Sequence, residues 1–245
     1  MFINSSDLKN NTYVVTGEDY HYIKNVLRLK EKDPLELRDG QNRQFFSSIS
    51  KIEAAKIILT INKANTLKVE LPVQLSLAQA LPKSDKIEWI IQKCVELGAK
   101  DIIPIQAERS LIKINPAKEK IKLERWNKIA KNAAQQSGRG IIPLVNKSLN
   151  WPQLVETLPK YDLVLIPWEL EEKQTLKSFF NKHPISNINH YKILIIIGPE
   201  GGFSAGEITL AKKAGAQTIS LGPRILRTET AGMSILAMLN YIFSD

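Results

Sequence analysis

Four stretches of this 245-residue chain combine glycine with polar or ionisable side chains in ways that suit ligand chemistry. The first is Ile195-Ile196-Ile197-Gly198-Pro199-Glu200-Gly201-Gly202-Phe203-Ser204. An apolar strand runs into a turn with three glycines, and Ser204 and Glu207 have the spacing of a capping box opening a helix. Glycine lets a backbone approach a ligand closely and adopt positive φ. The pattern is neither the GxxxxGK(S/T) phosphate loop nor the GxGxxG dinucleotide turn. Glu200 in its middle would repel a phosphate and suits a cationic or hydroxyl-bearing ligand better; a plain tight turn is the alternative. The second stretch, Ser220 to Gly232, again ends a strand in Gly-Pro and opens a helix, with Arg224, Arg227 and Glu229 set among small residues. Irregular backbone there could offer free N–H and C=O groups to an adenine edge. The competing reading is a helix start at which Glu229 complements the dipole. The third, Ala133 to Gly140, is a polar tip in which Arg139 could reach a phosphate or a base edge. Equally, Ser137-Gly138 could be a simple C-cap. The fourth runs from Lys83 to Gly98. Its Ile87, Ile90, Ile91, Val95 and Leu97 are core-like, Trp89 reads as packing before stacking, and Cys94 as a small buried residue rather than a nucleophile.

The elements that must position these stretches change character along the chain. Over residues 1–72, short β-rich segments at Thr12–Thr16, Leu35–Leu37, Phe45–Ser50 and Lys56–Asn62 surround one helix, about Asp19–Leu29, with Tyr22, Val26 and Leu29 on one face. This suggests a small barrel, with Ala64–Pro72 as the connection onward. Residues 73–245 alternate strand and helix. Strands are expected at Gln74–Gln79, Asp101–Gln106, Ile141–Val145, Asp162–Pro167, Lys192–Gly198 and Thr218–Leu221. Helices are expected at Asp85–Leu97, Pro116–Gln136, Gln153–Leu158, Lys173–Asn181, Ala205–Ala214 and Glu229–Phe243. The rhythm predicts an α/β domain with a mostly parallel sheet covered on both faces. Such sheets bind ligands beyond the carboxyl ends of their strands, which puts the loops after Gly198 and Leu221 first.

Composition narrows the classes further. The formal net charge is +9, and residues 100–147 alone hold 11 Lys+Arg against 4 Asp+Glu. A clustered basic face is the footprint of a phosphate-backbone binder, with a solvated lysine surface as the alternative. No apolar run approaches the roughly 20 residues of a membrane span. The opening MFINSSDLKNN lacks a secretion signal's basic start and apolar middle. One cysteine and no Cys/His cluster lead to the expectation of a cytosolic protein without a metal or disulfide.

Taken together, GPEGGFS at 198–204, LGPRILRTETA at 221–231, AAQQSGR at 133–139 and the Lys83–Gly98 segment closely resemble the 16S ribosomal RNA uridine-N3 methyltransferases of the SPOUT superfamily. The resemblance covers essentially the whole chain. It implies an N-terminal PUA-like β-barrel that helps hold RNA and a C-terminal α/β domain with a deep trefoil knot, an exception to unknotted topology. It implies S-adenosylmethionine as methyl donor, a homodimer, and one uridine in the decoding region of the small ribosomal subunit as substrate. The knot loops would form the donor pocket from Ile197, Gly198, Pro199, Glu200, Gly201, Gly202, Leu221, Gly222, Leu226, Arg227, Thr228, Thr230 and Ala231. Arg227 is expected to steady the uracil anion, and Glu229 to accept a proton or orient a neighbour. Arg125, Lys128, Lys131, Gln136 and Arg139 are expected to hold RNA, with Arg28 and Arg43 on the barrel. The family often carries an arginine close to its initiating Met, whereas this chain reads Met1-Phe2-Ile3-Asn4. A knotted enzyme acting on another RNA atom, or a non-catalytic ribosome assembly factor, are the alternatives.

Overall fold

The computed structural model describes residues 1–83, 86–112 and 116–244. The chain forms two compact units, one of Met1–Glu70 with Gly138–Ile142 and one of Leu71–Ser137 with Pro143–Asp245.

In the first unit, β1 (Thr12–Val15) is followed by a short α1 (Gly17–His21) that loosens into a π turn over Tyr22–Val26. Then come β2 (Pro34–Arg38), β3 (Arg43–Ile52) and β4 (Ile57–Thr66). They form an antiparallel sheet in the order β1-β4-β3-β2. Two register shifts in the β3–β4 ladder, at Phe46/Ser47 and Ile49/Lys51, mark places where a strand bends. Alternating residues Phe45, Ser47 and Ile49 point inward with Leu37, Ile57, Leu59 and Val15. The expected helix face is corrected: Tyr20 and Ile23 are buried, whereas Tyr22 and Val26 are exposed. The change from α to π winding after His21 rotates the apolar positions off a 3.6-residue spacing. The expected connection at Ala64 is corrected too. The strand continues to Thr66 because Ala64 pairs with Phe45 and Thr66 with Arg43, although its polar end carries no alternation to read.

The expected strand at Ile141–Val145 divides. Residues 138–142 belong to the first unit, where Asn42 N–H donates to Gly140 O at 2.9 Å and Gln41 bridges Ile141. Only Leu144–Val145 pairs with the second sheet.

The second unit runs β5 (Gln74–Ala80), α2 (Lys86–Glu96), β6 (Asp101–Gln106), α3 (Pro116–Gln136), β7 (Leu144–Val145) and β8 (Leu149–Asn150). It continues through α4 (Trp151–Thr157), β9 (Leu163–Pro167), α5 (Leu176–Lys182), β10 (Lys192–Ile197), α6 (Ala205–Lys213), β11 (Gln217–Ile219) and α7 (Thr228–Phe243). The predicted start of α2 at Asp85 lies outside the described residues. The strands are parallel in the order β11-β9-β10-β5-β6-β7, with β8 also on β6. Central β10 is an unbroken isoleucine–leucine run, buried from Ile193 to Ile197 because helices cover both faces. Ile195 lies beside Leu77 of β5 and Leu165 of β9. On α2, Ile87, Ile90, Ile91, Cys94 and Val95 are buried, and Trp89 is 45% exposed. After β11 the chain doubles back, and α7 packs on β5, β10 and α2. The carboxyl ends of β9, β10 and β11 therefore lie side by side.

Candidate active site

The turn after β10 is fixed from three directions. Ser204 Oγ accepts from Glu207 N–H at 3.3 Å and Glu207 Oε2 accepts from Ser204 N–H at 2.9 Å, the reciprocal pair that starts α6. The other oxygen of buried Glu207 accepts from Glu108 N–H at 2.7 Å, tying the β6 loop to the same point. Arg109 Nη1 donates to Gly201 O at 3.0 Å, and Glu200 Oε1 accepts from Lys83 N–H at 2.9 Å. Gly202 has φ +67°, and a Cβ there would overlap the Glu169 carboxylate. Glycine is required on both counts.

The turn after β11 reverses through Gly222, with φ +111°, and reaches Arg227, whose extended backbone precedes α7. Thr228 then fastens the two turns together. Its hydroxyl donates to Gly198 O at 2.6 Å and accepts from Gln79 Nε2 at 2.8 Å. Gln79 is fully buried at the end of β5, also donates to Ala80 O at 3.0 Å, and leaves its Oε1 without a partner among the described residues.

These turns and the segment after β9 enclose a cavity of about 580 Å³. That lies within the roughly 300–1,000 Å³ that holds small ligands and cofactors. Among the predicted donor residues, Ile197, Gly198, Pro199, Glu200, Gly201, Gly202, Leu221, Gly222, Leu226, Arg227, Thr228 and Ala231 line it, as does Glu229. Thr230 does not. Sequence reasoning missed Pro167, which ends β9, and Trp168 and Glu169, which follow it with no motif to mark them, and Lys86, which lay inside a recognised segment without a role.

Charge is unevenly arranged. Lys86 Nζ donates to Glu229 Oε1 at 2.8 Å, with side chains 40% and 12% exposed. That hydrogen bond, with the Lys86 and Arg227 charges, holds the Glu229 carboxyl below the usual carboxylate range against the opposing effect of burial. Glu229 Oε2 is buried without a partner among the described residues. Glu169 and Glu200 add negative charge to the wall, Arg224 and Arg227 positive.

The predicted RNA contacts divide. Arg125, Lys128, Lys131 and Gln136 are exposed on α3, and Arg125 reaches Glu88 at 2.6 Å. Arg28 is exposed with φ +53°. Arg43 bonds Asp39 at 2.6 Å and lies over the Phe45 ring. Arg139 is a correction: it is 5% exposed, and its Nη2 and Nε donate to the Glu70 carboxylate at 2.6 and 3.2 Å. It is buried in its pairing with Glu70 and is not presented to solvent. Ser137 N–H accordingly closes on Ala133 O at 2.9 Å and Gly138 takes φ +78°, as at a helix C-terminus.

Comparison with known proteins adds independent weight. Residues 69–240 match the model of a family described as RNA methyltransferase domain, and residues 15–62 one described as RNA methyltransferase PUA domain. The ribosomal RNA small subunit methyltransferase E of Bacillus subtilis is 39% identical, over 94% of this chain and 90% of that one. A methyltransferase from Legionella pneumophila, solved in complex with the cofactor SAM, is 31% identical with a TM-score of 0.85, covering 99% of this chain and 96% of that one. A ribosomal RNA small subunit methyltransferase E from Neisseria gonorrhoeae, bound to S-adenosyl methionine, is 25% identical with a TM-score of 0.84, covering 99% and 97%.

Proposed function

The chain belongs to the RNA methyltransferase family, and from that premise we propose that it moves a methyl group from S-adenosylmethionine to N3 of one uridine in the 16S RNA of the small ribosomal subunit. The observation that carries this reading is the cavity between two glycine turns clasped by Thr228. Its lining fits the donor. Irregular backbone at 198–202 and 221–226 suits an adenine edge, and the Glu169 and Glu200 carboxylates suit a cation. The cavity floor, Gly198 against Phe203, would lose space to any Cβ, which would stand 3.1 Å from the ring.

When bound, the donor's sulfonium supplies a methyl group already activated for transfer. The chain's work is to hold that group in line with N3, since alignment of two bound reactants supplies much of an acceleration. Uridine N3 must also lose its proton, which calls for a cation near the developing anion or a base. Arg227, exposed at the cavity wall, is proposed for the uracil oxygens. Glu229 is proposed as an orienting group: a carboxyl held ionised this firmly is a weak proton acceptor at neutral pH.

The same reading has five further parts. The return of α7 onto β5 and β10 is consistent with a trefoil knot, and the bent four-stranded sheet with a PUA-like barrel. Exposed Met238, Tyr241 and Ile242 on α7 offer an apolar surface for a homodimer. The lysines of α3 are proposed for RNA phosphates. The proposed substrate, a ribosomal particle, puts the reaction in the cytoplasm; among the described residues no helix is long and apolar enough to cross a membrane. The test is methylation of purified small subunits and of naked RNA, followed by mass spectrometry of the nucleosides. N3-methyluridine is the expected product; a methylated ribose, or no methylation despite donor binding, refutes the reading.

A further inference from the structure

Arg227 stands in solvent just before α7, with its backbone extended. Lys86 differs. It rises from the first turn of α2, lines the same cavity, and is held by Glu229 at 2.8 Å. An ammonium carries three N–H donors. One is spent on Glu229, and among the described residues no other acceptor engages it. Glu229 is 12% exposed, sits on the first turn of α7, and has one oxygen on Lys86 and the other buried. A carboxylate in that position cannot turn toward a ligand without leaving the lysine. It fixes where the ammonium stands, and a fixed cation stabilises a developing anion without reorganising first.

We propose that Lys86 is a catalytic residue of this site, the preorganised cation that binds the uracil O4–N3 edge as N3 loses its proton, with Glu229 as its positioning residue. The inference rests on the uridine-N3 reading given above. In the step, the N3–H bond breaks and its proton passes to water at the open mouth of the cavity. The electron pair left on N3 forms the new N–CH₃ bond, while the S–CH₃ pair returns to sulfur and leaves a neutral thioether. Lys86 keeps its own protons throughout. The charged groups that share the cavity with it are Glu229 from α7, Arg224 and Arg227 before α7, Glu200 after β10 and Glu169 after β9. On the α3 side of α2, Arg125 is engaged with Glu88.

The experiment compares wild type, Lys86→Met, Lys86→Arg and the charge-neutral pair Lys86→Met/Glu229→Gln. Three quantities are read: S-adenosylmethionine affinity by calorimetry, single-turnover methylation of small subunits, and the pH dependence of that rate. Removing one preorganised donor from a developing anion costs roughly 10²–10³ in rate. Lys86→Met should therefore slow methylation about 100-fold while donor affinity stays within about twofold. The rising limb of its pH profile should move up by about two units, because each tenfold loss of anion stabilisation is one pKa unit. The charge-neutral pair should be equally slow, without an unpaired buried carboxylate to weaken the fold, and Lys86→Arg should recover most of the rate. A rate within about threefold of wild type, or a slow variant with an unmoved pH limb, overturns the proposal. So does a loss of donor affinity that accounts for the slowing. Wild-type protein that leaves uridine N3 unmodified overturns the underlying reading as well, and that control separates the two failures.

Discussion

Thr228→Val tests the clasp between the two turns with almost no change in side-chain volume. The hydroxyl it removes belongs to a residue 6% exposed and serves two partners, Gly198 O at 2.6 Å and Gln79 Nε2 at 2.8 Å. Leaving a buried polar group unsatisfied costs roughly 1–3 kcal/mol. Gly198 O is deprived of its hydroxyl donor, whereas the Gln79 amide keeps Ala80 O. One full penalty and part of another give about 2–3 kcal/mol. Gln79→Met should cost less, about 1 kcal/mol, because it also removes the unsatisfied Oε1. The two residues touch, so the double variant should be less unstable than the sum, by about 1 kcal/mol. Urea unfolding followed by tryptophan fluorescence reads this directly, since Trp89, Trp126, Trp151 and Trp168 all lie in the second unit. A Thr228→Val effect under about 0.5 kcal/mol, or strict additivity with Gln79→Met, would refute the clasp.

Other expectations follow from single interactions. Glu70→Ala strands the 5%-exposed Arg139 guanidinium and should destabilise the first unit by about 3–5 kcal/mol; a small change in the thermal midpoint of that unit would contradict it. Changing Lys128 and Lys131 to Ala should lower the slope of log affinity for RNA against log salt by roughly 0.7–0.9 for each phosphate left without its lysine, and an unchanged slope would remove α3 from the RNA surface. Lys86 depresses the folded-state value of Glu229. The stability this contributes is therefore complete above the unfolded Glu value of about 4.3 and is lost as pH falls through the depressed one. Acid unfolding curves of wild type and Glu229→Gln should converge at low pH; parallel curves would show that the pair contributes nothing. Burial raises the Cys94 thiol to about 12, so thiol reagents at about pH 8 should label it only after unfolding.

What the sequence disclosed and what it hid have physical reasons. The β10 run of isoleucines and the Ser204/Glu207 capping box are local signals, and both elements form where those signals lie. The glycines at 198–202 and 222 mark tight turns, which is why most of the cavity wall was legible. Distant pairings carry no such mark. Gln79 meets Thr228 across 149 positions, and Arg139 meets Glu70 across 69. An arginine in a Gln-Ser-Gly tip reads as a free hand for phosphate, and only its pairing with the Glu70 carboxylate far upstream shows otherwise. Lys86 stood within a recognised segment, but its partner lies 143 residues onward. Glu169 follows β9 with nothing in its neighbours to single it out. The helix at 19–29 misled because a π turn breaks the spacing from which a face is inferred.

The first unit is discontinuous. Its Glu70 receives Arg139, and its Asn42 receives Gly140, only after α2, β6 and α3 have been synthesised. A ribosome extending this polypeptide releases the amino-terminal sheet long before residues 138–142 exist. Until then Glu70 waits without its guanidinium, and Gln41 and Asn42 of the β2–β3 turn lack their Ile141 and Gly140 partners. An excised fragment ending near residue 72 would remain permanently in that unfinished condition, so a truncation made at the obvious linker removes part of what it is meant to isolate.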